Sequence, residues 1–308
     1  MRPISNWQRL ISPLVGFISV GFLLTILWRH GHQVLELAPD QQGWALLLFG
    51  VAATVAAQWF NGLAWWALLH WLRSPLPFLE VLLLFMRTNI YKYLPGGIWH
   101  QAGRLRWLKQ RGVGARRALL AVLLDPLLML LAALCLVPLG GMQGGLGLIS
   151  PFALLLLRPR WLNPLLERLL LSKKALLNFS GEVESDELKQ DQALLGSPWA
   201  ALLLQFPFLL LRFAGFACCI ACFSSINSLG IGLWLAAFAL AWLVGLVVPG
   251  APGGIGVFEL VLLARLHGLL PEAELLAVVI SYRLISVVAE SLTAAAAQLD
   301  QPITIRSQ

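Results

Sequence analysis

Long uninterrupted apolar segments constrain the fold of this chain more than any other feature. Five of them run from Leu10 to Trp28, Trp44 to Trp71, Ala118 to Gly140, Pro198 to Phe223 and Ala273 to Leu299. At ~1.5 Å per residue, a helix over each segment can cross the ~30 Å hydrocarbon layer of a membrane. A shorter run, Gly145 to Leu157, can serve as a sixth span if the bilayer thins locally. We therefore predict an all-α polytopic membrane protein with about six full transmembrane helices.

The composition supports this prediction and excludes other classes. Of the 308 residues, 59% are hydrophobic and only 12% are charged, which is too little charge to coat a soluble protein. The net charge of +7 is explained by basic loops that face an anionic membrane surface, so we expect no nucleic-acid partner. The first apolar run is followed by Arg29 and His30 and lacks a cleavage site of small residues, so we interpret it as a retained anchor helix.

Two further apolar stretches are interrupted by proline and glycine. The stretch from Phe78 to Trp99 is interrupted by Pro95, Gly96 and Gly97. The stretch from Ile231 to Leu266 is interrupted by a second cluster, Pro249, Gly250, Pro252, Gly253 and Gly254. Proline removes a helical hydrogen-bond donor and glycine allows a chain reversal, so we predict two re-entrant helix-break-helix hairpins. Such backbone must be buried in protein or face a water-filled cavity. The alternative is that both breaks are ordinary loops at the membrane surface.

The two broken stretches belong to an internal repeat. Pro95 to Ile98 recurs as Pro252 to Ile255, and Leu119 to Val122 recurs as Leu275 to Val278. The shift is close to half the chain, so we divide it into a first membrane half (1–157), a polar cytoplasmic linker (158–197) and a second membrane half (198–308).

The basic residues predict the orientation of these halves. With the amino terminus inside and three spans plus one hairpin per half, 16 of the 22 Lys and Arg residues fall on the inside and two, Arg29 and Arg265, on the outside. This bias predicts that both termini are cytoplasmic. Three crossings per half invert the second half relative to the first, an arrangement typical of transporters. We expect the protein to reside in the plasma (inner) membrane.

Several motifs resemble a known family. They are Pro252-Gly-Gly-Ile-Gly-Val-Phe-Glu259, Tyr93-Leu-Pro-Gly-Gly97 followed by Arg104, and Tyr282-Arg-Leu284. Together they resemble the lysylphosphatidylglycerol synthase transmembrane-region family, the flippase-like membrane part of multiple peptide resistance factors, over about residues 10 to 298. The resemblance implies a protein that handles or translocates lipids.

The chain also departs from the pattern of that family. The long members carry a soluble aminoacyl-transferase domain for which this sequence shows no counterpart, so we expect it not to make lysyl-lipid. Trp99 and His100 follow the first Pro-Gly-Gly motif, where the family pattern has a small residue.

Three ionisable residues lie within the predicted last helices of the two halves. A charge near the bilayer centre costs roughly 2.5–3.5 kcal/mol, so Asp125, Arg283 and Glu290 each need a partner or a function. Inverted symmetry favours a pair between Asp125 and Arg283, and Glu290, seven residues further on, is the rival partner of Arg283. The alternative role is a static polar network that fixes helix register.

Other polar residues around the breaks and in the long helices are candidate lipid-binding residues. Basic groups beside freed backbone amides suit a phosphate. The candidates are Arg87, Lys92, Pro95, Gly96, Gly97, His100, Arg104, Arg212, Pro252, Gly253, Gly254 and Glu259. For Arg87 and Lys92 the alternative is snorkelling to the inner interface. Gln58, Asn61 and Gln205 could line the same path.

These features predict a lipid translocase, of the flippase or scramblase kind, that moves an anionic or modified phospholipid or a lipid-linked head group. The alternative is a membrane-embedded lipid-modifying or glycosyl transferase, or an accessory subunit of one, with Glu259 or Asp125 as a base. No phosphate-loop, metal-spacing or nucleophile-elbow motif occurs, so we expect no enzyme activity, cofactor or metal. The expected partners are membrane lipids, with a lipid-modifying enzyme and a second copy of the chain as further candidates.

Overall fold

The computed structural model describes residues 39–93, 99–141, 146–172, 196–223, 230–248, 254 and 256–299. These residues form α-helices joined by turns and short 3₁₀ segments, and no strand occurs among them. The helices are α1 (Gln41–Trp71), α2 (Phe78–Asn89), α3 (Trp99–Gln110), α4 (Ala115–Leu136), α5 (Leu146–Leu155), α6 (Pro159–Ser172), α7 (Trp199–Phe223), α8 (Ile231–Val247), α9 (Val257–Leu266) and α10 (Glu272–Leu299). The prediction of an all-α polytopic membrane protein is therefore confirmed.

Four helical segments are long and apolar enough to cross a membrane. They are α1, α4 with the 3₁₀ turn Val137–Gly140 that extends it, α7 and α10, and they cover four of the five long runs predicted as spans. The run from Leu10 to Trp28 lies outside the described residues. Helix α5 covers part of the candidate sixth span but has only 10 residues, about half the length that crossing requires. It ends in a turn that leads directly to Arg158 and Pro159.

Both predicted breaks separate two helices. In the first predicted hairpin, α2 ends at Asn89 and is followed by a 3₁₀ turn over Ile90–Tyr93. The next helix, α3, begins at Trp99. The intervening Pro95, Gly96 and Gly97 lie outside the described residues. Helix α2 therefore ends at Asn89, before the position that Pro95 alone would indicate.

In the second hairpin α8 ends at Val247, and the extended conformation of Val248 leads into the break. Pro252 and Gly253 lie outside the described residues. Gly254 has φ +71° and Gly256 has φ +86°, backbone conformations that side chains disfavour, so glycine is needed where the chain turns into α9. The re-entrant placement of both hairpins stays a prediction.

Two sets of four described helices follow one another with similar spacing along the chain, and the internal repeat itself stays a prediction. The sequence α1, α2, α3, α4 recurs as α7, α8, α9, α10, and equivalent helices begin between 153 and 158 residues apart. A methyl group added to Gly43 would meet Cys222, and one added to Gly50 would meet the Gly215 carbonyl. Helices α1 and α7 therefore run antiparallel in close contact, the relation that a two-fold axis in the membrane plane produces. The inverted orientation in a bilayer stays a prediction.

The core of the second half is aromatic. The ring of Tyr282 on α10 packs within 6 Å of Phe216 on α7, Phe238 on α8 and Phe258 on α9. Such edge-to-face and tilted contacts hold four helices around one side chain. Two charged side chains pack against rings that belong to or contact this cluster, Arg212 over Trp242 and Arg283 over Phe258, so the aromatic packing helps to fix their positions.

Candidate functional site

Glu290 is the centre of a hydrogen-bonded network of five polar side chains, and we call these five the Glu290 cluster. The Glu290 Oε1 atom accepts hydrogen bonds from Lys92 Nζ and from Arg212 Nη2, both at 2.7 Å. Gln58 Nε2 donates to the same oxygen at 3.2 Å, and Asn89 Nδ2 donates to Gln58 Oε1 at 3.0 Å. One carboxylate oxygen therefore accepts from three donors, two of them cationic.

The Glu290 cluster joins both halves of the fold. Glu290 lies on α10 and Arg212 on α7, whereas Gln58 lies on α1, and Asn89 and Lys92 stand at the end of α2 and in the 3₁₀ turn that follows it. Arg212 stacks over the Trp242 ring of α8, with 4.9 Å between its guanidinium carbon and the ring centre. The end of the first hairpin's first helix is thus tied to the long helices of the second half.

Arg212 retains hydrogen-bonding capacity that the protein does not use. Its residue surface is 2% exposed, yet Nε and Nη1 have no hydrogen-bond partner. Glu290 is 1% exposed, and its Oε2 atom also lacks a partner. The buried hydroxyl of Tyr282 is unpartnered as well. Unpaired buried polar atoms are costly, so their concentration here indicates a site for a polar ligand.

A second buried ion pair lies between the second helix of the first hairpin and α4. Arg104 Nη1 donates to Asp125 Oδ2 at 3.0 Å, and Arg104 Nε donates to Thr88 Oγ1 at 3.1 Å. The guanidinium lies on the Phe85 ring at 3.7 Å, and Gln205 Nε2 donates to Asp125 Oδ1 at 3.3 Å. The charges balance one to one, and among the described residues no Arg104 nitrogen or Asp125 oxygen is buried without a partner, although the Gln205 Oε1 atom is.

The third ion pair fixes the second break. Glu259 on α9 accepts a hydrogen bond from Arg283 Nε and another from the Gly256 amide at 2.6 Å, which caps the start of its own helix. Arg283 Nη2 also donates to the Gly254 carbonyl at 3.0 Å. The glutamate of the motif is therefore a capping residue that ties the break to α10.

These contacts correct the predicted pairing of the intramembrane charges. The expected pair between Asp125 and Arg283 is wrong, because Asp125 pairs with Arg104 and Arg283 pairs with Glu259. Glu290 is not the partner of Arg283 in its stead, because it pairs with Lys92 and Arg212. Asp125 and Arg283 are each met by the helix that precedes their own long helix, α3 and α9 respectively, whereas Glu290 is met from α7 and from the 3₁₀ turn after α2.

The remaining predicted residues lie around the edge of these clusters. Arg87 Nε donates to the Ala297 carbonyl at 2.6 Å, so it caps the last turn of α10. His100 is partly buried in the first turn of α3, and its Nδ1 atom has no partner. Lys92 forms an ion pair with Glu290, and this ion pair, not snorkelling to the interface, explains the position of its side chain. The lipid-binding role of each residue stays a prediction.

Two polar residues that complete the site were not singled out from the sequence. Asn89 carries the hydrogen-bond chain to Gln58, and Thr88 accepts from Arg104 while its own hydroxyl bonds the Leu84 carbonyl at 2.9 Å. Both are buried near the end of the apolar α2. The signal that could have found them is a pair of polar residues immediately before the break.

The electrostatic arrangement suits binding of an anion more than metal or acid–base chemistry. The described residues contain no group of three His, Cys, Asp or Glu side chains able to hold a metal ion. The cysteines Cys135, Cys218, Cys219 and Cys222 are free thiols. Each carboxylate of the three ion clusters forms an ion pair with at least one basic side chain.

The long apolar helices and the buried ion pairs define a multi-pass, all-helical membrane protein. Residues 10–293 match the family model of the lysylphosphatidylglycerol synthase transmembrane region. The chain therefore belongs to this family, which confirms the resemblance read from its motifs and indicates a function related to membrane lipids. A comparison with characterised proteins finds no match.

Proposed function

We propose that the protein is a membrane lipid translocase that moves an anionic or modified phospholipid, or a lipid-linked head group, between the two leaflets. The observation that carries this proposal is the Glu290 cluster, in which a fully buried arginine keeps two nitrogen atoms unpartnered. A charge in hydrocarbon is costly, and a protein that only holds others together gains nothing from it. A passing anionic head group would give these donors their partner.

The two breaks provide the path in this proposal. The first hairpin delivers Lys92 to the cluster from the turn that precedes its break. The second break is held by Arg283 and Glu259, next to the aromatic ring of Phe258. Backbone that leaves the helical conformation inside a membrane must face protein or water, so such breaks are where a hydrated head group could cross.

In this proposal the protein lies in the plasma (inner) membrane. Both termini are in the cytoplasm, which is the orientation that the basic residues predict. The two hairpins then enter from opposite sides and meet near the midplane. Movement is either passive or driven by a proton or the membrane potential.

The test is reconstitution of the purified protein in liposomes that contain a trace of fluorescent phospholipid. A membrane-impermeant quencher reports the rate at which labelled lipid reaches the outer leaflet. We expect the wild-type protein to accelerate the appearance of an anionic phospholipid relative to protein-free liposomes. No acceleration for any anionic or lipid-linked substrate would contradict the proposal.

A parallel incubation separates translocation from lipid modification. The same liposomes receive activated amino-acid or sugar donors, and the lipids are analysed by mass spectrometry. We expect the lipid masses to remain unchanged. A new lipid product would favour a membrane-embedded transferase instead.

A further inference from the structure

The charges of the Glu290 cluster do not balance. Lys92 and Arg212 bring two positive charges to a single carboxylate oxygen, and their side chains are 19% and 3% exposed. The neighbouring ion pairs do not supply the missing negative charge, because Asp125 is engaged by Arg104 and Glu259 by Arg283. The described part of the cluster is therefore short of one negative charge.

The unpartnered atoms show where that charge would bind. Arg212 keeps Nε and Nη1 without a partner on either side of Nη2, the nitrogen that donates to Glu290, so each of them can donate to an oxygen of a bound oxyanion. The Tyr282 hydroxyl is a further buried donor without a partner, and the Tyr282 ring packs on Phe238, as does the Trp242 ring that lies under Arg212. The Trp242 ring supports the guanidinium and keeps its plane fixed. These groups are donors, so the expected occupant is an acceptor.

We propose that Glu290 is an internal counter-ion that sets the charge of the lipid this site accepts. It neutralises one of the two cations, so that the site accepts an anion of single charge, a phosphodiester, in preference to a doubly charged phosphomonoester. The inference rests on the proposed function in taking the phosphodiester from a lipid head group. Glu290 acts on specificity through Lys92 and Arg212 and is a positioning residue.

The preference for single charge follows from burial. A phosphodiester would bring the cluster of Lys92, Arg212 and Glu290 to zero net charge, whereas a phosphomonoester dianion would leave one negative charge uncompensated. An uncompensated charge of either sign is unfavourable where the dielectric constant is low.

The test measures binding of two lipids to the purified protein in detergent, by microscale thermophoresis. Phosphatidylglycerol is the phosphodiester, and phosphatidic acid is the phosphomonoester, largely a dianion at about pH 7.5 because its second ionisation lies near pH 6. We expect the wild-type protein to favour phosphatidylglycerol by about tenfold. Equal affinity for the two lipids, or no binding of either, would overturn the inference.

Changing the counter-ion should invert this preference. Glu290→Gln removes the negative charge and keeps the shape, so the variant should favour phosphatidic acid. The matched control is Glu274→Gln in the first turn of the same helix, which changes the protein's net charge equally but lies outside the cluster, and it should keep the wild-type preference. An unchanged preference in folded Glu290→Gln would show that the glutamate is only structural.

A second variant covers the case in which Glu290→Gln does not fold. Lys92→Gln reduces the cluster to one cation and one carboxylate, so it should lose about tenfold in affinity for phosphatidylglycerol. Wild-type affinity in that variant would also overturn the inference. Soluble glycerophosphoglycerol tests the source of the phosphodiester. We expect it to bind more weakly than the lipid, and equal binding would contradict the lipid assignment.

The outcome can be told apart from that of the proposed function. Binding in detergent requires no translocation. If the charge preference inverts in Glu290→Gln but liposomes show no lipid movement, the site stands and the translocase proposal falls. If lipid moves without any charge preference, only the role of Glu290 is wrong.

Discussion

The Arg104–Asp125 pair and the Glu290 cluster are built from the same groups but leave different atoms unused. In the first, one cation meets one anion, and Arg104 keeps no buried nitrogen without a partner among the residues that the structure describes. In the second, two cations share one anion, and Arg212 keeps two such nitrogens. The comparison teaches that burial of a charge alone does not single out a candidate binding site, and that the proposed site rests on the excess of unused donors around Glu290.

The largest effect on stability should come from removing the anion of the balanced pair. Asp125→Ala should lower the free energy of unfolding by about 3–5 kcal/mol, because Arg104 would remain buried and charged without an anion. Chemical denaturation in detergent, followed by tryptophan fluorescence, measures this change.

The control for that prediction removes both charges. The double variant Arg104→Met with Asp125→Leu should recover most of the lost stability, since apolar residues of similar size replace the ion pair. A single variant that unfolds like the wild type would show that Asp125 is not the partner on which Arg104 depends.

The next effect concerns transport rather than stability. Arg212→Gln should slow lipid translocation in liposomes by about 10- to 100-fold, because a charged donor to the head group contributes about 1.5–3 kcal/mol. Its free energy of unfolding should change by less than about 1 kcal/mol, since Lys92 and Glu290 remain as a balanced pair. Loss of folding with Arg212→Gln would contradict the distinction between the two regions.

A smaller effect is expected at the second break. Glu259→Gln should lower the free energy of unfolding by about 1–2 kcal/mol. The amide oxygen of the new side chain can still cap Gly256, and Arg283 is partly exposed and keeps the Gly254 carbonyl. Thermal unfolding together with hydrogen exchange at the start of α9 measures the change. A loss as large as that of Asp125→Ala would make this pair equivalent to the first.

The smallest effect should come from a charge outside the clusters. Arg106 is exposed on α3, two residues after Arg104, so Arg106→Gln should change the free energy of unfolding by less than about 0.5 kcal/mol and leave translocation at the wild-type rate. The same two assays measure it. A clear loss of translocation in this variant would indicate that the basic surface of α3, and not the buried arginine, contacts lipid.

The spans and the breaks could be predicted from the sequence because they follow from local rules. Hydrocarbon requires long apolar helices, so α1, α4, α7 and α10 can be read from composition alone, and proline with glycine marks where helices end. The length of α5 could not be read in this way, because its apolar run continues past the last helical residue.

The partners of the buried charges could not be predicted, because they depend on how helices rotate against one another. The predicted symmetry placed Asp125 and Arg283 at corresponding positions of two long helices, but it carried no information on which neighbour each one faces. Lys92 was also expected to reach the interface, whereas a turn of 3₁₀ helix directs it to Glu290. Side-chain direction at the end of a helix depends on that local geometry.

The reversed order of charge in the two halves has a consequence for assembly. In the first half the hairpin carries the cation and the long helix the anion, and in the second half the hairpin carries the anion and the long helix the cation. If a hairpin docked on the wrong long helix during insertion, Arg104 would face Arg283, and Glu259 would face Asp125. Each mismatch would place like charges together in a medium that screens them poorly. The opposite polarity of the two ion pairs therefore favours docking of each helix on the partner that it has in this fold.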